Sequence, residues 1–204
     1  MDEARWAWLN QRSRRRILEA AEAHFSEEGY ETARVDDIAA TAKVSKSHLY
    51  YHFPSKAELL ACLIELRTAE MLSAKDAVLP ANLLPGDPAG DLAGPIARAI
   101  HEILEPRRAF LRVALLETLQ RPGSAEPVML AVELVLDDVE RRFDSAGLDL
   151  APGWRTQLVH LGLFPACYLV ARTEGPLDAA GVRALAEGMA VLERALVTRR
   201  GGRR

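Results

Sequence analysis

The segment from Val44 to Lys56, V-S-K-S-H-L-Y-Y-H-F-P-S-K, carries many hydrogen-bonding side chains on a very short predicted helix. Ser45 can cap the start of this helix, and Pro54 cannot continue it. Leu49 and Phe53 are four residues apart, so they share one side of the helix and predict its buried face. A helix of about two turns is not stable alone, so these two residues must pack it against a larger unit.

The opposite side of the same helix is polar and predicts a surface that binds another molecule. Its side chains are those of Lys46, Ser47, His48, Tyr50, Tyr51 and His52. No acidic residue occurs between Ile38 and Ala57, so Lys43, Lys46 and Lys56 lack a counter-charge within this stretch. Basic and hydrogen-bonding side chains in this arrangement favour a polyanion as the partner.

The segment from Val35 to Ala42 predicts another short helix, directly N-terminal to the first, with Val35, Ile38 and Ala39 on one face. About three residues join the two helices. This layout is typical of a helix-turn-helix, in which the second helix enters the major groove of DNA. An ordinary helical corner with a solvated face has the same spacing, so the spacing alone leaves both interpretations open.

The residues around this helix pair also resemble a known family. The matching upstream positions are Ala20, Phe25, Gly29, Tyr30, Val35 and the I-A-A sequence from Ile38 to Ala40. Together with V-S-K-S-H-L-Y-Y-H-F-P-S-K-A-E-L-L, they resemble the N-terminal DNA-binding region of TetR-type transcriptional regulators over about residues 12 to 65. The resemblance implies an all-helical homodimer that usually represses transcription and leaves its operator when a small molecule binds the C-terminal domain. His48 stands where the family more often has a small residue or threonine, which leaves the base preference open.

The helix-turn-helix interpretation predicts three groups of contacts with a double-stranded DNA operator. Bases or neighbouring sugars would be contacted by Lys46, Ser47, His48, Tyr50 and Tyr51. Phosphates would mainly be contacted by Ser45, His52 and Lys56. Further backbone contacts would come from the ends of the preceding helix, at Thr32, Arg34 and Lys43. Phosphate contacts position a protein on DNA, whereas base contacts specify sequence.

The elements that must position this segment are predicted to be helices. We expect an all-α fold of about nine helices, with a three-helix helix-turn-helix DNA-binding domain at residues 1–54 and a helical ligand-binding and dimerisation domain at residues 55–204. Ser55 and Glu58 form an S-x-x-E capping box, which predicts the start of a long helix that runs to about Ala77. Prolines and glycines predict a loop from Leu79 to Pro95. The other helices are predicted at about Asn10 to Glu28, Ile96 to Glu105, Arg107 to Arg121, Glu126 to Ala146, Trp154 to Glu174 and Asp178 to Arg199.

The last two predicted helices carry apolar surface suited to self-association. The segment from Leu158 to Ala171 is apolar nearly all round, so it must be covered on more than one side. Small side chains on the final helix let another helix approach closely, which predicts a homodimer with a two-fold four-helix interface. The candidate interface residues are Leu158, Leu161, Leu169, Ala184, Leu185, Gly188, Met189 and Leu192. A monomeric core with an ordinary helix pair is the alternative.

Apolar and aromatic residues in the C-terminal part predict a pocket for a small apolar effector. Pro165 removes one backbone hydrogen bond from its helix and is expected to kink it, which leaves room for a ligand. The candidate ligand-binding residues are His101, Phe110, Leu111, Glu117, Met129, Trp154, His160, Phe164 and Tyr168. An ordinary packed core uses the same residue types, so the ligand hypothesis depends chiefly on the resemblance.

The net charge of −3 at pH 7 argues by itself against a nucleic-acid-binding protein. The distribution of charge matters more than its sum. Between Ala4 and Leu18 the chain has five arginines and no acidic residue. This arginine run either adds positive charge near the predicted reading helix or forms a solvated face or a frayed arm.

Composition and motifs argue against other classes of function. The chain of 204 residues is 49% apolar, and no uninterrupted apolar run approaches the ~20 residues of a membrane span. Asp2 and Glu3 open the chain, unlike a secretion signal, and Cys62 and Cys167 fit no metal spacing, so we expect a cytoplasmic protein with buried thiols, no metal and no cofactor. No G-x-S-x-G, H-E-x-x-H or phosphate-binding glycine loop occurs, so we do not expect an enzyme. A helical adaptor that binds a protein partner without DNA is the alternative function.

Overall fold

The structure is a computed structural model that describes residues 2–78, 93–120, 126–145 and 147–199 of the chain. Within these ranges the predicted all-α class is confirmed, because the secondary structure is helical apart from one short pair of strands. The α-helices are α1 (Glu3–Leu9), α2 (Arg12–Glu28), α3 (Val35–Thr41), α4 (Lys46–His52), α5 (Lys56–Val78), α6 (Ala93–Ala99), α7 (Arg108–Gln120), α8 (Glu126–Ser145), α9 (Trp154–Gln157), α10 (Phe164–Arg172) and α11 (Ala179–Leu196). No helix in the described ranges is both long enough and apolar enough to cross a membrane.

The chain forms two compact units. The N-terminal unit contains Met1–Glu70 and Ala109–Ala131, and the C-terminal unit contains Met71–Arg108 and Val132–Arg204. The predicted division of function between residues 1–54 and 55–204 is a separate matter and stays a prediction. Most of the predicted loop from Leu79 to Pro95 lies outside the described residues, and its last positions belong to α6.

Apolar residues at helical spacing build the core of the N-terminal unit. On α2, Ile17 and Phe25 are 0% and 1% exposed, and on α5 Leu59 and Leu63 are fully buried. Gly29 ends α2 with a φ of 82°, and its N–H donates to the carbonyl oxygen of Phe25 at 3.1 Å. Glycine has no Cβ that clashes in this left-handed conformation, so the predicted end of the helix is confirmed.

A buried ionic network joins α2 to α5 in the same unit. Glu22, 7% exposed, accepts hydrogen bonds from Arg67, which also donates to Glu70 at 2.8 Å. Arg15 donates to Glu70 at 2.7 Å from the other side. Burial acts to raise the pKa of Glu70, but hydrogen bonds and charge from Arg67 and Arg15 outweigh it and hold this pKa below its ordinary value. The network therefore fixes α2 against α5, since removal of one partner would leave another charge buried without compensation.

The N-terminal helix α1 was not predicted. Asp2 caps it by accepting a hydrogen bond from the N–H of Arg5 at 2.7 Å, and Leu9 at its end is fully buried. The alternative of a frayed arm is therefore wrong for this segment. The sequence signal for α1 is weak because seven residues contain only one fully buried position.

The C-terminal unit is built around α6, α10 and α11. Ile96 and Ile100 are buried, as are Val182, Ala186 and Ala190 on α11, which packs along α6. A π-helical segment, Leu158–Leu163, separates α9 from α10, where one continuous helix was predicted. Pro165 therefore lies in the first turn of α10, where its missing N–H is tolerated.

Two short strands are an addition to the predicted fold. β1 (Leu148–Leu150) pairs with β2 (Val197–Arg199) in antiparallel register, with Asp149 opposite Thr198. The prediction that the final helix continues to Arg199 is wrong for these last three residues. Strands of three residues are too short for an alternating pattern to be recognised. Beside them a small cluster of Leu136, Trp154 and Leu196 closes this end of the unit.

Candidate nucleic-acid interface

The short helix α4 forms as predicted, with a polar outer side and a buried inner side. Ser45 caps it, since the Ser45 hydroxyl accepts a hydrogen bond from the His48 N–H at 3.1 Å. Leu49 and Phe53 are 1% and 0% exposed. Burying these two side chains holds a helix that would not form alone, so α4 owes its position to the N-terminal unit.

The turn between α3 and α4 is closed by backbone hydrogen bonds. The N–H of Val44 donates to Ala39 and that of Lys43 to Ala40, both at 3.0 Å. This is the Schellman arrangement, in which the residue after the helix adopts a left-handed conformation. Here that residue is Lys43, with a φ of 53°, the one described non-glycine residue with positive φ. The turn is thus tight and strained at a residue that sequence analysis assigned to DNA contact.

The exposed residues of this region match the predicted DNA-contacting set in part. All of the predicted set are exposed except His52 and Lys56, which are half-buried. Tyr51 is the most exposed aromatic, at 79%, and Tyr50 is 40% exposed. Lys46 pairs with Asp36 of α3 at 3.0 Å, so the fold supplies a counter-charge that the stretch from Ile38 to Ala57 lacks. Asp36 lies just outside the sequence window that was considered, and an exposed pair of this kind contributes little to stability.

Lys56 has a different role from the predicted one. Its ammonium donates to the carbonyl oxygens of Tyr30 at 2.6 Å, Glu31 at 3.1 Å and Ala33 at 3.1 Å, and it lies 4.6 Å from the centroid of the Tyr30 ring. An ammonium has three donors, and here all three are used within the chain. We therefore correct the assignment of Lys56 to phosphate contact: it supports the turn between α2 and α3.

The arginine run is largely engaged in contacts within the chain, and Arg14 and Arg16 still place positive charge beside α4. Arg5 donates to Glu65 at 2.7 Å, and the guanidinium groups of Arg5 and Arg14 lie 4.6 and 4.0 Å from the centroid of the Trp8 ring. Arg16 donates to the carbonyl oxygen of Ala42 and thereby braces the turn before α4. These contacts span up to 60 residues of sequence, so no local pattern could reveal them. The one available signal was a tryptophan among arginines, a common partner for cation–π contact.

Aromatic and imidazole rings cluster on the outer side of α4. The Nε2 atoms of His48 and His52 lie 3.2 Å apart, and the Tyr51 ring centroid is 5.2 Å from that of His52. Burial, followed by the charge of Arg14 and the proximity of His48, lowers the pKa of His52. His52 is therefore neutral at neutral pH and does not supply the positive charge that a phosphate contact would use.

The predicted ligand-binding residues do not form one pocket in either unit. Phe110, Leu111 and Glu117 are buried in the N-terminal unit and Trp154 in the C-terminal unit, but the remaining residues are exposed. Those exposed residues are His101, Met129, His160, Phe164 and Tyr168. Within each unit, the described residues do not place this set around one interior, and its assignment to an effector stays a prediction. Helical periodicity identifies an apolar face but does not distinguish a pocket wall from an outer surface.

Two cavities each include one of these residues. A cavity of about 720 Å³ in the C-terminal unit is lined by Trp154 together with Asp137, Glu140, Phe143 and Leu150, among others. A cavity of about 360 Å³ in the N-terminal unit is lined by Glu117 and by the end of α2. Both linings are more polar than an apolar effector would need.

The predicted dimerisation residues differ in how exposed they are within one chain. Leu158 and Leu192 are half-buried and pack on the chain's own cluster around Trp154. Leu161 is 66% exposed, and Ala184 and Gly188 are exposed as well. Leu169, Leu185 and Met189 are half-buried.

An exposed apolar face follows from this division. Leu161, Phe164 and Tyr168 form one row, and Ala184, Gly188 and Val191 form a second row on α11. The π-helical segment Leu158–Leu163, which carries Leu161, is in contact with α11, and a Cβ on Gly162 would lie 3.1 Å from the Leu192 side chain. We call these two rows the apolar face.

Comparison with known proteins identifies the N-terminal region. Residues 17–63 match the model of a family described as bacterial regulatory proteins, tetR family. An HTH-type transcriptional repressor of Streptomyces coelicolor is 39% identical over 56 residues, which is 28% of this chain and 29% of that protein. The A-factor receptor protein of Streptomyces griseus is 38% identical over 55 residues, 27% of this chain and 20% of that protein. The matched sequence thus spans less than a third of these relatives.

Solved structures match over most of the chain. A crystal structure of the multidrug binding protein EbrR complexed with imidazole is 26% identical, with a TM-score of 0.58 and coverage of 92% of both chains. A TetR-like transcriptional regulator from a Rhodococcus species has a TM-score of 0.62 at 21% identity, covering 90% of this chain and 96% of that one. The second likeness supports the fold alone.

Proposed function

We propose that this chain, a TetR-type regulator by its N-terminal domain, is a cytoplasmic transcriptional repressor that binds a palindromic operator as a homodimer and is released by a small effector. The observation that carries the proposal is α4. Its outer side exposes Lys46, Ser47, His48, Tyr50 and Tyr51 together, while Leu49 and Phe53 are buried. Donors, acceptors and rings on one exposed helical side are what base-edge contact in a major groove requires.

Dimerisation is the second part of the proposal. One short helix contacts only a few base pairs, whereas two copies related by a two-fold axis contact half-sites about 34 to 36 Å apart. The apolar face on the C-terminal unit is a suitable interface because small residues on α11 permit close helix approach. Leu161 and Val191, 66% and 58% exposed, would then be covered by the partner.

The effector is the third part of the proposal. EbrR, with 26% identity, is described as a multidrug binding protein, which supports a small aromatic or largely apolar effector for this chain. The cavity beside Trp154 has acidic side chains in its lining, so lipophilic cations belong in the tested panel. Such an effector must bind more tightly to a dimer whose α4 helices are wrongly spaced for DNA.

Selection of bound sequences from random DNA tests the proposal. We expect enrichment of a palindrome, with a bound mass of one dimer per site by light scattering. Enrichment of no sequence at moderate salt would contradict it and favour the helical adaptor. A panel of lipophilic compounds, neutral and cationic, then tests the effector by fluorescence anisotropy of the labelled operator.

A separate test concerns the proposed division between base contacts made by α4 and phosphate contacts made by the turn before it. His48→Asn should change preference among operators, because a base contact is altered, whereas Lys43→Ala should weaken binding to all DNA alike and reduce its salt dependence by about one counterion. Equal effects of the two substitutions on every sequence would contradict this division.

A further inference from the structure

The two histidines of α4 lie one helical turn apart with their reactive nitrogens facing each other. The Nε2 atoms of His48 and His52 are 3.2 Å apart, closer than the ring centroids at 4.6 Å. Two imidazoles reach this distance when one Nε2 carries the proton and the other accepts it, so both rings cannot be charged at once. The two ring edges therefore share one proton at the exposed side of the helix.

The same distance suits a shared metal ion. Zinc binds imidazole nitrogen at about 2.0–2.1 Å, and a tetrahedral angle between two such bonds separates the nitrogens by about 3.3 Å. Histidines at i and i+4 of a helix also supply two zinc ligands in H-E-x-x-H sites. The observed pair thus meets the required spacing without movement of the backbone.

We propose that His48 and His52 form a two-histidine binding site for Zn²⁺ or Cu²⁺ on α4. The ion binds the Nε2 lone pairs of both rings. The proton of the donating Nε2 moves through solvent to Nδ1 of the same ring, so both bound imidazoles stay neutral, and water occupies the remaining coordination positions. Imidazole nitrogen suits both ions, with copper bound more tightly. Within the described residues no group of three or more possible ligands exists, so the site has two protein ligands and exchanges its ion readily.

The surroundings of His52 hold its ring in one orientation. Contacts with Tyr51 and Phe53, at centroid distances of 5.2 and 6.4 Å, hold the ring in place. Its Nδ1 atom is buried without a hydrogen-bond partner, so packing rather than a second hydrogen bond sets its orientation. The positive charge of Arg14 also limits the affinity for a cation.

Metal occupancy has a consequence for DNA recognition, and this part rests on the proposed function. Once Nε2 of His48 is coordinated, it can neither donate to nor accept from a base edge. The metal-bound protein therefore loses the sequence preference that His48 contributes, while its phosphate contacts remain. Metal availability would in this way regulate the choice of operator.

A titration without DNA tests the site itself. The full chain is titrated with Zn²⁺ alone, and separately with Cu²⁺, by calorimetry. We expect one ion per chain, with His48→Gln and His52→Gln each weakening binding by about tenfold or more. The matched control is His160→Gln, because His160 is exposed and its Nδ1 is engaged with the Thr156 carbonyl oxygen at 2.8 Å in the C-terminal unit. Imidazole ¹⁵N resonances should show coordination at Nε2 of both rings in the wild type.

The outcomes separate the site from its consequence. Wild-type protein that binds neither ion, or His48→Gln protein that binds like the wild type, overturns the site. With the operator in hand, saturating Zn²⁺ should lower the discrimination between operator and scrambled DNA by about tenfold, and His48→Gln should not respond. If the metal-loaded wild type still discriminates between operator and scrambled DNA as before, the regulatory part of the proposal is overturned. If the protein binds metal but selects no DNA sequence, the metal site is supported and the proposed function is contradicted.

Discussion

The outer side of α4 and the apolar face on the C-terminal unit are both exposed, but they differ in kind. On α4 the exposed side chains carry donors, acceptors and charges, and the apolar pair Leu49 and Phe53 is fully buried. On the apolar face, Leu161 and Val191 are more than half exposed, and their neighbours are aromatic or small.

This difference shows which of the two surfaces can be exposed to water at little cost in free energy. Water can hydrate the polar side of α4 at little cost, so this surface is stable without a partner. Exposed apolar area costs roughly 25 cal/mol per Å² relative to burial, and contiguous apolar patches usually mark interfaces. The apolar face would therefore gain free energy from a cover, as the proposed dimer supplies, whereas α4 requires only its own unit beneath it.

The largest expected effect comes from the buried support of α4. Phe53→Ala should lower the free energy of unfolding by about 3–5 kcal/mol, because it removes a fully buried ring and leaves a cavity. Phe164→Ala is the matched control on the apolar face, and since Phe164 is 37% exposed its cost should stay near 1 kcal/mol. Urea denaturation at low protein concentration measures both. Equal losses would break the distinction between the two surfaces.

The contrast also explains how much could be predicted. Ser45, Pro54 and the i, i+4 pair Leu49 and Phe53 are local signals, and α4 lies where they place it. The bracing of its turn by Arg16 depends on a contact 26 residues away, which no local pattern encodes.

The C-terminal unit was predicted less well for a related reason. Phe164 and Tyr168 were predicted to lie on helices around one interior, yet both side chains are exposed here. Sequence periodicity predicts which residues share one face of a helix. It does not predict what packs against that face, because this depends on tertiary or quaternary structure. The strands β1 and β2, three residues each, pair residues as far apart in sequence as Leu150 and Val197, so local analysis misses them in the same way.

A charge on the apolar face should have the next largest effect. Val191→Glu would place an unpaired carboxylate in the proposed interface, at a cost of about 2–3 kcal/mol. The dissociation constant of the dimer should therefore rise roughly a hundredfold. Sedimentation measures this change, and circular dichroism should remain unaltered because Val191 is 58% exposed. Leu119→Glu, on an exposed leucine of the N-terminal unit, is the control. A wild-type chain that is monomeric at all concentrations would remove the interface from the proposal.

Two lysines near α4 allow a test of which side chain stabilises the fold and which is used for the proposed contact with DNA. Lys56→Met removes the ammonium that donates to three carbonyl oxygens and should cost about 1–3 kcal/mol of unfolding free energy. Lys46→Met breaks only an exposed pair with Asp36, so its cost should stay within about 0.5 kcal/mol while operator binding weakens. Thermal unfolding and DNA titration of both variants provide the comparison. Lys56→Met protein with unchanged stability and weak DNA binding would restore the phosphate role.

The smallest effect concerns the strained turn before α4. Lys43 has a φ of 53°, where a side chain with Cβ is strained and glycine is not. Lys43→Gly should therefore raise the free energy of unfolding by about 0.5–1 kcal/mol, the relief of strain being partly offset by the greater freedom of glycine in the unfolded chain. The same change should weaken operator binding, because a predicted backbone contact is lost.

Lys43→Ala separates these two effects, since it removes the ammonium but keeps Cβ. It should match Lys43→Gly in DNA affinity and the wild type in stability, as measured by denaturant unfolding and operator titration at two salt concentrations. Equal stability of the alanine and glycine variants would show that the turn stores no strain at this residue. A glycine variant that is more stable but binds DNA more weakly would show that Lys43 lowers the stability of the polar surface in exchange for a DNA contact. No residue of the apolar face has a positive φ, so the same loss of stability is not expected there.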